Sequence, residues 1–286
     1  MKNINEFEKY RKLLFSIAYR MLGSVMEAED MVQETYYKWE KVSGKDLDSP
    51  KSFLTTVITN LCIDQLRSAK KKKETYVGQW LPEPIISDTN VGDVEEIVEI
   101  SDSLSTAFLV LLESLSPIER AVYLLHDIFG YEFTDIGKFL NKKEDNCRQI
   151  AKRARGRIKG KEHRFKPSQN DIERVLDSFV DAYTKGNIES LMSLLEEDIV
   201  LYSDGGGKVR AAVNPIFGKV NVAKFIAGIH AKFGGSRKYI KCFVNGLPGL
   251  KIYSDNKLIG AMSFAYGKKT IGNIFVVLNP DKLKGI

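Results

Sequence analysis

Cysteine is scarce in this chain. Three occur in 286 residues, Cys62, Cys147 and Cys242, far apart and without a CxxC pair. That pattern suggests neither a disulfide framework nor a zinc site, and reduced, mostly buried thiols are expected instead. Long apolar runs are missing too. No stretch approaches the roughly 20 apolar residues needed to cross a bilayer, and Met1 to Lys9 contain no apolar core. A cytoplasmic protein that does not engage a membrane is expected.

What is present is ordinary for a soluble globular protein: 43% hydrophobic and 28% charged residues, in a length that suits two or three compact domains. The net charge of +6 is modest, but its placement is not uniform. Residues 138 to 166 carry 12 Lys or Arg against 3 acids, while residues 83 to 119 carry 9 acids and no Lys or Arg. A second basic cluster, Arg67 followed by Lys70 to Lys73, closes a helical stretch. Two basic patches separated by an acidic segment suit a chain that touches a polyanion at two places.

From Tyr10 to Lys73 apolar residues return every three or four positions, which predicts helices. Ser24 and Glu27 fit a capping box. The helix behind them should bury Ala28, Met31, Val32, Thr35 and Trp39 and present Asp30, Glu34 and Lys38. Gly44 to Pro50 predicts a loop, and Pro50 suits the first position of the next helix. On that helix Phe53, Leu54, Val57, Ile58 and Leu61 are expected inside, with Thr56, Asn60, Arg67 and Lys71 on an outer face. Residues 74 to 101, with two prolines, two glycines and many acids, predict a linker. Beyond Pro167 an amphipathic helix, a short second helix and five strand-like runs predict an α+β domain.

Phe133 to Ile158 reads as a helix-turn-helix: a short helix over Thr134 to Leu140, a turn over Asn141 to Glu144 and a second helix from Asp145. Cys147, Ile150, Ala151, Ala154 and Ile158 form its apolar stripe. Arg148, Lys152, Arg155 and Lys159 form the opposite face, with the chemistry to grip guanine edges and neutralise phosphates.

The stretches "LLFSIAYRMLGSVMEAEDMVQETYYKW" and "SPKSFLTTVITNLCIDQLRSAKKKKETYVGQWLPEP" resemble the N-terminal domain of extracytoplasmic-function RNA polymerase sigma factors, and "LSPIERAVYLLHDIFGYEFTDIGKFLNKKEDNCRQIAKRARGRI" resembles their promoter-reading domain. The WLPEP segment (Trp80 to Pro84), the DGGGK turn (Asp204 to Lys208) and the terminal NPDKL (Asn279 to Leu283) resemble the subgroup with a fused SnoaL-like domain of the NTF2-like fold. The resemblance implies two all-α sigma domains, the second a helix-turn-helix, followed by an α+β cone. Their implied extents are 1–76, 102–166 and 167–286, with 77–101 as an acidic linker. It assigns docking on core RNA polymerase (β′ clamp and β subunits) to Asp30, Gln33 and Glu34. Promoter DNA would be met by Thr56, Asn60, Arg67 and Lys71 at the minus-ten element and by Arg148, Gln149, Lys152, Arg153 and Arg155 at the minus-thirty-five element. The Gly44 to Pro50 loop would form a pocket for an unstacked base. Regulatory contacts are implied for Trp80, Leu81, Pro82, Asp204, Gly205, Gly206, Gly207, Lys208, Asn279, Pro280 and Asp281. Asn141 stands where a turn glycine is usual, and Gly137 where alanine is usual; the latter should loosen its helix by up to about 1 kcal/mol.

No catalytic residue, cofactor or metal is expected. SnoaL relatives that act as cyclases use an Asp and a His, but the lone histidine of the last domain, His230, lies among apolar residues and reads as structural. The DGGGK turn lacks the spacing of a phosphate loop. An unknown small ligand in the cone remains open. Two alternatives stay beside the sigma-factor reading: a ligand-sensing helix-turn-helix regulator, and a cyclase or isomerase fused to a DNA-binding module.

Overall fold

The computed structural model describes residues 2–42, 49–88, 104–159 and 168–284. The chain falls into two compact units. One holds residues 1–75 and 111–159, the other residues 76–110 and 160–286. Residues 76–88 therefore fold with the C-terminal domain, and the two helical segments expected as separate bodies share one unit.

In the first unit, α1 (Lys2–Leu22), α2 (Val25–Val42) and α3 (Pro50–Glu74) pack on one another. Gly23, at φ 70, ends α1, and its N–H donates to the Tyr19 carbonyl at 2.7 Å. Ser24 then caps α2 by accepting from the Glu27 N–H at 3.2 Å. The buried side of α2 is Ala28, Val32, Thr35 and Trp39; Met31 is only half-buried. Trp39 thus belongs to the core, against Phe53. Along α3 the fully buried residues are Leu54, Thr55, Ile58, Thr59 and Cys62, whereas Phe53, Val57 and Leu61 sit at the edge. The apolar count alone had missed the two threonines.

The second segment of this unit comprises the end of α4 (Thr106–Leu112), α5 (Pro117–Tyr123), a π-turn over Leu124–Ile128, α6 (Phe133–Leu140) and α7 (Glu144–Ile158). Ser116 and Glu119 form a reciprocal capping box on α5, with Pro117 at the first helical position. Asn141 takes the left-handed conformation at φ 49 and ends α6. Gly137 has a positive reason to be glycine. A Cβ there would lie 2.7 Å from the Lys142 carbonyl oxygen, and the Lys142 N–H donates back to the Gly137 carbonyl at 2.8 Å. Gly137→Ala should therefore lower the stability of the helical unit by about 1–3 kcal/mol through overpacking, seen as a lower denaturation midpoint, despite the better helix propensity of alanine. An unchanged or raised midpoint would show that the turn yields freely.

The two segments are tied together inside this unit. Arg120, 3% exposed, donates to the Met21 carbonyl at 2.6 Å, to the Leu112 carbonyl at 2.8 and 3.1 Å, and to Glu113 at 3.0 Å. The Thr55 and Tyr131 hydroxyls share a hydrogen bond of 2.9 Å. Arg20, 1% exposed, lies over the Phe129 ring at 5.6 Å, and burial pulls its guanidinium down to about 10.

The second unit is built on a seven-stranded sheet of order β1-β4-β5-β6-β7-β2-β3. The strands are β1 (Ile86–Ser87), β2 (Leu195–Asp204), β3 (Ile216–Phe217), β4 (Arg237–Val244), β5 (Leu247–Ser254), β6 (Lys257–Tyr266) and β7 (Ile271–Val277). All neighbours run antiparallel except β2 and β7, which are parallel. Bulges at Ile252/Tyr253 and Ala265/Tyr266 help the sheet curl around α8 (Gln169–Thr184), α9 (Ile188–Leu194) and α10 (Lys219–Phe233). Strand alternation gives the sheet two apolar faces. Leu201, Phe264, Ile274 and Val276 face the helices, while Ala265, Phe275 and Val277 face Leu81, Ala107 and Val110. This is the α+β cone that the resemblance implied. Among the described residues no helix is long and apolar enough to cross a membrane.

Candidate functional sites: the reading helix and the Asp204 cluster

On α7 the stripe Cys147, Ile150, Ala151, Ala154 and Ile158 is buried, so the 3.6-residue period forces Arg148, Gln149, Lys152, Arg153 and Arg155 outward, and all five are exposed. Burial raises the Cys147 thiol above its ordinary value, which suits packing and not nucleophilic chemistry. Two cations are held in place: Arg148 by an ion pair with Glu144 and a position 5.1 Å over the Phe133 ring, Arg155 by Asp127 at 2.8 Å. Near the end of α7, Arg157 meets Glu119 at 3.4 Å. The arginines of this helix are positioned by Glu144 on the same helix, Asp127 of the π-turn and Glu119 of α5.

The outer face of α3 is less open than the sequence suggested. Asn60 donates to Thr56 O at 2.8 Å and also to Phe139 O of α6 at 3.0 Å. Thr56 is half-buried and donates to Ser52 O at 2.7 Å, and Arg67 pairs with Asp64 at 3.1 Å. Lys71 lies on α3, but its side chain is outside the described residues, as is the Gly44 to Pro50 loop up to residue 48. On α2, Asp30, Gln33 and Glu34 are all exposed, beside a Glu29 that pairs with Arg11 at 3.1 Å.

In the second unit the separate motifs converge on one carboxylate. Asp204, at 0% exposure, accepts from Tyr76 OH at 2.6 Å and Gly206 N–H at 3.0 Å on one oxygen. The other oxygen accepts from Leu81 N–H at 2.9 Å and Lys282 Nζ at 2.7 Å. Its backbone carbonyl accepts from Leu278 and Asn279 N–H at 2.7 and 2.9 Å. Lys282 also bonds Leu81 O and stands 4.2 Å over the Trp80 ring, while Asn279 donates to Tyr76 OH at 2.9 Å. Pro82 is buried beside Leu81, whereas Pro280 is exposed.

The DGGGK ends do not pair with each other. Lys208 instead meets Asp281, which Lys284 also contacts at 2.8 Å, and the two ammonium groups hold the Asp281 carboxyl down to about 2. Gly206, at φ 60, is the tightest point: a Cβ would fall 2.3 Å from Asn279 Nδ2. Burial and Asp204 push the Tyr76 phenol up. Tyr76 and Lys282 were not singled out from the sequence. Lys282 stood within the NPDKL motif, but no periodicity pointed to Tyr76. Among the described residues no group of His, Cys, Asp and Glu could hold a metal.

Residues 7–72 match the Sigma-70 region 2 family, and residues 105–158 match Sigma-70, region 4. Over 99% of its length the chain is 32% identical to the ECF RNA polymerase sigma factor SigJ of Mycobacterium tuberculosis, covering 93% of that protein. The chain belongs to the extracytoplasmic-function RNA polymerase sigma factors. The crystal structure of SigJ matches this sigma factor with a TM-score of 0.81 and 30% identity, covering 99% of this chain and 98% of that one. SigW of Bacillus subtilis is 30% identical over a match that covers 46% of the chain and 73% of SigW. In this sigma factor α1 to α3 are thus region 2, and α4 to α7 are region 4. The α+β domain follows, and it includes the Asp204 cluster.

Proposed function

We propose that this sigma factor directs core RNA polymerase to its promoters through α2, α3 and α7, and that the C-terminal domain sets its activity by holding the segment from Tyr76 to Ser87. The observation that carries the regulatory part is the buried Asp204 carboxylate. It binds the stretch that follows region 2 (Tyr76, Leu81) and the NPDKL segment (Lys282) at one point, so that stretch is fixed on the C-terminal domain.

The exposed acids Asp30 and Glu34, with Gln33, suit a basic docking surface on the polymerase. Gln149, Lys152 and Arg153, with Arg148 and Arg155, suit the major groove. Asn60 presents a direct choice. While its amide bonds Phe139 O, α3 is held against α6, and the two helices cannot sit on separate promoter elements. Promoter binding then requires that contact to be exchanged for DNA.

Arg148→Ala combined with Lys152→Ala should abolish the upstream footprint of the polymerase complex, with a loss of about 1–3 kcal/mol for each base contact. The salt slope of binding should fall by about one for each lost phosphate contact. A normal footprint with both residues replaced would mean that another face reads the DNA. The overall role is tested by mixing the full chain with core polymerase: co-elution and specific initiation support it, and the absence of both rejects it.

A further inference from the structure

The cone of the C-terminal domain encloses a cavity of about 310 Å³. That is within the range of small-molecule sites. Most of its wall is apolar, from Phe179, Phe225, Leu250, Ile252, Met262 and Val276. Such a wall by itself would accept any hydrocarbon, and it repels a charge that brings no counter-charge of its own.

The polar part of the wall is one-sided. Arg210, Lys232 and Arg237 line the cavity, and among the described lining residues there is no carboxylate. Arg237 is half-buried with its guanidinium 4.1 Å over the Phe233 ring, and the Lys232 ammonium stands 5.2 Å over the same ring. Stacking on an aromatic face fixes the guanidinium plane while leaving its N–H edge available to an acceptor. Beside it, the Tyr183 and Tyr239 hydroxyls share a hydrogen bond of 2.7 Å. One of the two donates and the other accepts, so the pair keeps one phenolic proton that it does not use internally.

We propose that this cavity is a binding site for an apolar monocarboxylic acid, whose hydrocarbon body fills the cone and whose carboxylate is met by Arg210, Arg237 and the tyrosine pair. Arg210 and Lys232 are exposed and Arg237 is half-buried; a neutral ligand would leave the Arg237 guanidinium without a carboxylate acceptor among the described lining residues. A strongly polar one would face the apolar wall with its hydrogen-bonding groups unmatched.

The site adjoins the Asp204 cluster. Ser203 lines the cavity, and Asp204 follows it on the same strand with its side chain on the opposite face. The loop continues from Lys208 to Arg210, Ala211 and Ala212 in the cavity wall, and Ala211 packs on Gly205 closely enough that a Cβ there would lie 2.8 Å from it. Ligand at Arg210 therefore acts on the turn that holds Tyr76 and Leu81, which extends the regulatory role proposed above. Binding itself is measured without transcription, so failure of the ligand site and failure of the regulatory reading are told apart.

The test is calorimetric titration of the full-length chain with decanoate below its micellar range, and with decanol as the uncharged counterpart. Decanoate should bind at one site and decanol about tenfold or more weaker, the worth of one charge-assisted hydrogen bond. Arg237→Gln and Arg210→Gln, each with an unchanged circular dichroism spectrum and melting temperature, should weaken decanoate about tenfold and leave decanol as it was. Equal binding of the two probes, decanoate affinity unaffected in folded arginine variants, or no binding of either probe would overturn the proposal.

Discussion

Asp204→Asn is expected to destabilise the C-terminal unit by about 3–5 kcal/mol, the usual effect of removing one partner from a buried ion pair. The replacement has the same shape, so the loss is one of bonding. A carboxylate offers acceptor sites on both oxygens, and here each oxygen takes two donors: Tyr76 and Gly206 on one, Leu81 and Lys282 on the other. An amide has one acceptor oxygen. Its NH₂ group must then be turned toward two donors, whichever way it is placed, and one of those pairs contains either a buried ammonium or a tyrosine already bonded by Asn279. The Leu81 amide reports this directly, because its acceptor is the Asp204 side chain. Hydrogen exchange at Leu81 should accelerate strongly, the denaturation midpoint of this unit should fall, and promoter-directed transcription should change. If Leu81 stays protected and transcription is unaltered, the cluster is not what fixes the segment after region 2.

The halves of this picture were unequally legible in the sequence. Region 2 and the helix-turn-helix could be read because their information is local: the apolar period of α7, the Ser116 and Ser24 caps, and the left-handed Asn141 each sit within a few residues of what they determine. The five longer β-strands were found for the same reason, whereas the two-residue strands Ile86–Ser87 and Ile216–Phe217 were not. What composition and periodicity could not show was the partner of any contact made across a large sequence separation; the resemblance alone implied contacts for the WLPEP, DGGGK and NPDKL segments. Thr55 and Thr59 carry no apolar signal, yet both are buried, and Thr55 meets a tyrosine far along the chain. Residues 74 to 101 looked like a linker because prolines, glycines and acids favour loops. Leu81 is nevertheless 1% exposed, because a sheet face formed by Phe275 and Val277 receives it. Gly137 read as a small defect in a helix until the Lys142 carbonyl was seen beside it. The DGGGK, WLPEP and NPDKL motifs were recognisable as patterns, but only the fold shows that one carboxylate joins all three.

The second large effect is expected at Arg120, where Arg120→Met should lower the stability of the helical unit by about 2–4 kcal/mol. Methionine fills much of the aliphatic volume, so the cost arises from the groups left behind. The Met21 carbonyl loses its guanidinium donor in a site that is 3% exposed, and a buried acceptor without a partner costs about 1–3 kcal/mol, whereas the Leu112 carbonyl loses the guanidinium but keeps the Leu115 N–H at 3.0 Å. Glu113 loses its ion-pair partner as well, at a smaller cost because it is partly exposed. The consequence reaches function because Met21 lies in the last turn of α1 of region 2, whereas Arg120 belongs to α5 of region 4. Their bond acts in the same sense as Asn60 with Phe139 and Thr55 with Tyr131, holding the two promoter-binding segments together. In the variant, fluorescence transfer between probes placed on α2 and α7 should report a larger population with region 2 and region 4 apart, at denaturant concentrations where the remainder of the chain is folded. Should the variant keep both the wild-type midpoint and the wild-type probe distance, then Arg120 fills space without joining the two regions, and the opening step on DNA is controlled elsewhere.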